Sequence, residues 1–301
     1  MPYLSLKLTP DALFKVPASA PSGYTLTYIL VGGGGGSSIS VDGLSNDGSG
    51  PGDGGYVVSS SVTIQAGNTI VATVGSGGSA GINDNGSYTY GGTGNSSSLS
   101  GSSISTITAN GGIGRRGATG GYGGGNVNAP SGANGGIGIT SSISGVSLYY
   151  AGGGGAAKDA PFGGGVSGSG FIGQGGLGLL QGSYSDSNVY YGKVGNSGGI
   201  ILSVPTSNFN VSNTAKTASF NGGSNSSGVL VVSSVSGTIY VGMKLSGTGV
   251  PANTFIISGS GTTWQINNAV IITTTAMTAT TLFTNGSNTV YVIPTTQNFY
   301  T

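Results

Sequence analysis

Of the 64 glycines in this 301-residue chain, 53 fall between residues 32 and 199. No other feature restricts the fold as much, because a glycine run has no Cβ atoms to pack and is a poor helix former. The region opens at ILVGGGGGSS (29–38), where an apolar run breaks into five glycines. Longer tracts follow at 111–125, 132–138 and 152–176. Gly does not recur at every third position without break, so the tracts are not collagen. Two states remain for them. They are loops without fixed form, or extended three-fold helices packed backbone to backbone, an approach that only Gly permits. In the second state, neighbouring tracts satisfy each other's N–H and C=O groups without a side-chain core. The mean hydropathy of +0.16 opposes disorder, and the packed state is the expectation.

Strand-like islands lie between the tracts: YLSLKL (3–8), then 24–31, 56–64, 69–74, 103–109 and 200–204. QAGN (65–68) reads as a hairpin turn joining two of them. Charged residues make up only 5 % of the chain, and Glu, His and Cys are absent. Ordinary soluble proteins are roughly 25 % charged. Helix formers are scarce, and Ser, Thr, Val, Ile and Tyr favour strands. The expected fold is all-β: a Gly-rich β-sandwich with polyglycine-II-like tracts, a small C-terminal β-domain, and almost no helix. The expected divisions are a lead or attachment segment at 1–22 and a glycine-rich domain at 23–205. A small β-module follows at 206–281, then a C-terminal strand and tail at 282–301. Trp264, the single Trp, is expected to anchor the core of the module.

Motifs that could carry chemistry fail on their context. A phosphate loop needs Gly-Lys-Ser/Thr, and Ser37-Ser38-Ile39 follows Gly36. A dinucleotide fingerprint needs a helix next, which SSISVDGLSNDGSGPGDGG cannot form. GGSAG (77–81) and GNSGG (195–199) match a nucleophile segment, yet no His or Glu exists to activate the serine. The chain reads as not an enzyme, with no catalytic, cofactor-binding or metal residues. Asp42, Asn46, Asp47 and Asp53 crowd one loop without the spacing of a known calcium repeat, and turn formation is the preferred reading over a calcium site. A net charge of +1 gives no footprint for nucleic acid. No apolar run approaches the roughly 20 residues that span a bilayer. MPYLSLKLTP lacks the basic start and apolar core of a signal peptide.

What remains is a set of aromatic and basic residues on Gly-rich loops. Tyr88, Tyr90, Tyr122, Tyr184, Tyr190 and Tyr191, with the pair Arg115-Arg116, are the candidates for surface recognition. Tyr offers large contact area at low entropy cost and carries a polar tip. Tyr149, Tyr150, Phe162 and Phe171 belong to the same loop class. The alternative is that these aromatics cap glycine tracts or fill seams between chains.

The order of phrases is similar to a known family. FKVP (14–17), a strand ending ILVGGGGG, and GGYVVSSSVTIQAGNTIVATVGSGGSAG (54–81) resemble the glycine-rich domain of bacteriophage tail fibres and other virion proteins. NSSSLSGSSISTITANGG (95–112) and GGIIL (198–202) resemble its later parts, so the likeness spans about residues 14–204. VSSVSGTIYVGMKLSGTGVPANTFI and TTWQI, within 229–280, resemble a second module of phage structural proteins. The resemblance implies a virion-surface structural protein of the tail-fibre or adhesin kind, without catalytic residues. It implies a homo-oligomer, a trimer by analogy with fibres, bound to other virion proteins and touching a host surface glycan or outer-membrane protein. A capsid decoration or head-fibre protein is the alternative. An ice- or polysaccharide-binding protein on Gly-rich helices is the alternative of another class, against which stand the irregular period and the absence of Cys.

Overall fold

The strand Tyr24–Val31 (β3) shows why two layers form around it. Leu26, Tyr28 and Leu30 are buried on one face, while Thr25 and Thr27 on the other are exposed until Ile29 and Val31, which are buried again. A strand that turns apolar on both faces along its length is covered on both sides there. The computed structural model describes residues 6–8, 12–15, 24–41, 52–65, 69–84, 87–102, 104–114, 135–155, 172–176, 179–181, 189–205, 216–285 and 287–293. Among the described residues there are strands and no helix.

Two five-stranded antiparallel sheets make a sandwich. The first runs β1 (Leu6–Leu8), β2 (Ala12–Lys15), β6 (Thr69–Thr73), β9 (Ser97–Gly101) and β10 (Ile104–Ala109). The second runs β22 (Leu282–Asn285), β23 (Asn288–Ile293), β15 (Gly199–Pro205), β3 and β5 (Val57–Ile64). Leu26, Leu30, Ile64 and Ile200 from the second sheet meet Ile70 and Leu99 from the first, all fully buried. The expected hairpin at 65–68 is a correction. β5 pairs only with β3, and β6 pairs with β2 and β9, so this link crosses from one layer to the other. Ile64 and Ile70 then enter the core from opposite sheets.

The small module is a barrel. Its strands are β16 (Thr217–Ser224), β17 (Val229–Gly237), β18 (Lys244–Gly247), β19 (Ile256–Ser260), β20 (Thr263–Ile266) and β21 (Ile272–Thr280), in the order β18-β21-β16-β17-β20-β19. Leu245 N–H donates to Thr254 O (2.8 Å) and Ile256 N–H to Met243 O (3.0 Å), bridging the two ends of the sheet around Lys244 and Phe255. Phe220, Leu230, Met243 and Ile266 fill the interior. Trp264 is buried among them, its Nε1–H donating to Gly261 O at 3.0 Å, as a core anchor should be. After the barrel the chain returns to the sandwich as β22 and β23, so the barrel is inserted between β15 and β22. It packs on the outer face of the second sheet. There Phe255 joins Ile29, Val31, Ile201, Val290 and Val292, and meets Phe283 edge-on with ring centroids 5.2 Å apart.

Where the sandwich strands run out, the glycine tracts begin. β3 continues into 32–37, β6 into 75–81 and β10 into 110–114, while 52–56, 91–96 and 192–198 lead into β5, β9 and β15. The tract 32–37 lies at the centre. Gly32 and Gly35 donate to Tyr56 and Asp53, Gly33 and Gly36 to Asn95 and Gly92, and Gly34 and Ser37 to Asn196 and Lys193, at 2.8–3.0 Å. Each neighbour is met at every third residue, three to a turn, as in a polyglycine-II helix. The carbonyls of Gly33, Gly34 and Gly35 accept from Gly112, Gly78 and Gly176 in three further tracts. The six neighbours also bond to one another in a closed ring: 52–56, 110–114, 91–96, 75–81, 192–198 and 172–176. Tracts 151–155 and 135–138 add outer layers through Gly154 to Gly52 and Gly153 to Gly136.

This lattice explains the five consecutive glycines. A helix in an outer position keeps one face for solvent and can hold a side chain there, as Ile113 and Val194 do. The central helix has no outward face. A Cβ on any residue from Gly32 to Gly36 would lie within 3.0 Å of backbone in a neighbouring tract. Two buried hydroxyl contacts stitch bundle to sandwich: Ser97 Oγ–H donates to Val31 O (2.6 Å) and Ser97 Oγ accepts from Gly75 N–H (2.9 Å).

Candidate functional site

The bundle is polar in the architectural sense. One end merges with the sandwich, and the other is closed by side chains that replace missing backbone partners. There Ser37 Oγ accepts from Lys193 N–H (2.8 Å) and Ser38 Oγ accepts from Gly91 N–H (3.0 Å), both serines being buried. Just beyond lie a short parallel pair, β4 (Ile39–Val41) with β13 (Leu179–Gln181), and a three-stranded sheet. That sheet is β14 (Val189–Tyr191), β7 (Ile82–Asp84) and β8 (Ser87–Tyr88), with β7 in the middle.

This sheet gathers residues that are far apart in the chain. Asn83 is opposite Tyr88 on one side and Tyr190 on the other, so the three form one row across the sheet. Tyr191 is opposite Ile82, and Ile82 exchanges backbone hydrogen bonds with Thr89 (2.8 and 3.2 Å), which brings in Tyr90 next along the chain. Tyr191 is 60 % exposed and Tyr90 50 %. Tyr88 and Tyr190 are placed here by backbone register. Val194 and Ile113 are exposed on two outer tracts on opposite sides of the bundle, and as single apolar residues within glycine runs they carry no sequence signal.

Arg115, Arg116, Tyr122 and Tyr184 lie outside the described residues, as do Asp42 and Asp47. Gly114 packs against the backbone of Gly91 at this end. Asp53 is buried inside the bundle. Its carbonyl accepts from Gly35 N–H and its amide donates to Ile113 O (2.9 Å), so its backbone belongs to the lattice. Among the described residues no group of three potential metal-ligating acids occurs. Ser79 and Ser197, the serines of the two nucleophile-like matches, sit in adjacent tracts joined by Gly195 N–H to Gly78 O at 2.9 Å.

No family model and no curated protein matches the chain.

Tyr149 and Tyr150 do not belong to it. They lie on β12 (Leu148–Tyr150), which pairs with β11 (Ile139–Ser141) beside the barrel junction. Tyr149 is partly exposed, whereas Tyr150 is buried and burial pushes its phenol far above the ordinary range, against a smaller lowering by Ser144. A group held this firmly protonated is a donor at every physiological pH.

Proposed function

We propose that this chain is a virion structural protein of the tail-fibre or adhesin kind. Its sandwich and barrel end belongs to the particle, and its opposite end touches the host. The observation carrying this reading is the placement of Tyr88, Tyr190 and Tyr191 in adjacent registers of one small sheet, with Tyr90 next along the chain, at the far end of the bundle. Binding groups gain most when the element beneath them does not move, because less ordering is left to oppose association. The lattice provides that footing through backbone bonds in three directions. Exposed tyrosines suit a host surface glycan or the loops of an outer-membrane protein, since each combines a flat apolar ring with a hydroxyl. No catalysis is assigned. The reading includes assembly with other virion proteins and with further copies of the chain, a trimer being the fibre-like arrangement.

The test has two arms. Electron microscopy of particles labelled on this chain should put label on the virion, and unlabelled particles would end the structural reading. The purified chain should bind host cells, and Tyr90→Ala with Tyr191→Ala should lower that binding at least tenfold with no change in Tm. Equal binding by the double variant would remove the tip from the account.

A further inference from the structure

Far from the tip tyrosines, a cavity of about 680 Å³ opens where the barrel meets the sandwich. That volume is in the range of small-molecule sites. Three observations define what fits it. Its floor is aliphatic, built by Ile201 and Val292 from the second sheet and Ile256 from the barrel. Among the described residues that line it none is charged, so none of them would balance a phosphate, carboxylate or ammonium taken out of water. Its remaining walls carry hydroxyls: Ser147 and Tyr149 on one side and Ser258 on the other.

Tyr150 lines the same cavity, and its hydroxyl is buried without a hydrogen bond of acceptable geometry, although Ser144 lies beside it. A buried donor left unpaired is costly. That hydroxyl is closed off from the cavity, so only the ring of Tyr150 contributes to its wall. The ring of Tyr149, 46 % exposed at the cavity, offers a flat apolar surface. An uncharged molecule with one apolar face and a rim of oxygens matches every one of these demands, and a pyranose has that form.

We infer that the cavity between barrel and sandwich is a binding site for an uncharged saccharide of one or two rings, separate from the tip and independent of what the tip binds. Tyr149 supplies the stacking surface, and Ser147 and Ser258 meet the outer hydroxyls.

The experiment is saturation-transfer NMR on the full chain with maltose, lactose and N,N′-diacetylchitobiose as neutral probes and glucose 6-phosphate as the charged one. At least one neutral disaccharide should receive saturation, and glucose 6-phosphate should not. Tyr149→Ala should weaken that disaccharide roughly tenfold. Ser147→Trp, which adds bulk at an exposed position, should abolish binding with Tm unchanged, and Tyr90→Ala with Tyr191→Ala should leave it intact. No transfer to any neutral probe overturns the inference. So does transfer only to the phosphate, transfer that survives Ser147→Trp, or transfer lost in the tip variant alone.

Discussion

Replacing Gly34 by Ala decides between a packed lattice and a loose glycine loop, because the two give opposite signs. Gly34 N–H donates to Asn196 O and its carbonyl accepts from Gly78 N–H, both at 2.8 Å. A methyl group there would overlap the backbone carbonyl of Gln174. In a loose loop, Gly→Ala restricts the unfolded chain and stabilises by about 0.4–1 kcal/mol. In the lattice, the neighbouring tract must move. Overpacking of this kind costs about 1–3 kcal/mol, and loosening the two hydrogen bonds adds about 1 kcal/mol each. After the unfolded-state gain is subtracted, the variant should be less stable by about 2–4 kcal/mol. At about 2–4 °C per kcal/mol for large domains, calorimetry should show a Tm lowered by about 5–15 °C. Gly261→Asn is the control: its φ is +59° with no atom within 4 Å of a Cβ, and Asn tolerates that conformation, so Tm should barely change. A Gly34→Ala protein with unchanged or higher Tm would refute the packed bundle.

Ser97→Ala removes two buried bonds between bundle and sandwich and should lower unfolding free energy by about 2–3 kcal/mol in urea titrations, with no loss meaning the stitch is idle. Phe255→Ala empties a fully buried position between barrel and second sheet and should cost about 3–5 kcal/mol by the same assay. Tyr150 and Tyr291 are both raised well above the ordinary phenol range by burial. The unfolded phenols lose their protons first, near pH 10, so stability should be steady below that pH and fall above it. Tm followed from pH 8 to 11 checks the sign, and Tyr150→Phe should make the alkaline fall shallower.

Alternation in the sequence locates β3, β5, β6, β10 and β15 to within a residue or two and leaves β2, β9 and β22 unmarked. The islands at 56–64, 69–74, 103–109 and 200–204 become β5, β6, β10 and β15. It does not reveal which layer a strand joins, because period two tells which residues face inward and not which sheet they face inward from. That is why the turn at 65–68 reads as a hairpin and is a crossover instead. Glycine content marks the tracts, and the unbroken run 32–36 marks the one with no solvent face, but the identity of its six neighbours rests on strand order in the sandwich. The tip follows the same pattern. Tyr88 and Tyr190 are legible as contact-type residues, whereas their shared row with Asn83 depends on two tracts ending side by side. Tyr149 and Tyr150 look identical to them in composition and are separated only by the fold. The barrel cavity has no sequence trace at all, since its walls come from residues 144 to 292.

Amide hydrogen exchange of the central tract tests the account most directly. Gly33, Gly34, Gly35 and Gly36 each donate to a carbonyl of another tract at 2.8–2.9 Å, inside a ring that excludes water. Their amides should exchange as slowly as those of β3 and β15, the slowest of the sandwich. Exchange at the rate of unstructured peptide would show that no lattice holds them, and the rigid body beneath the tip would go with it.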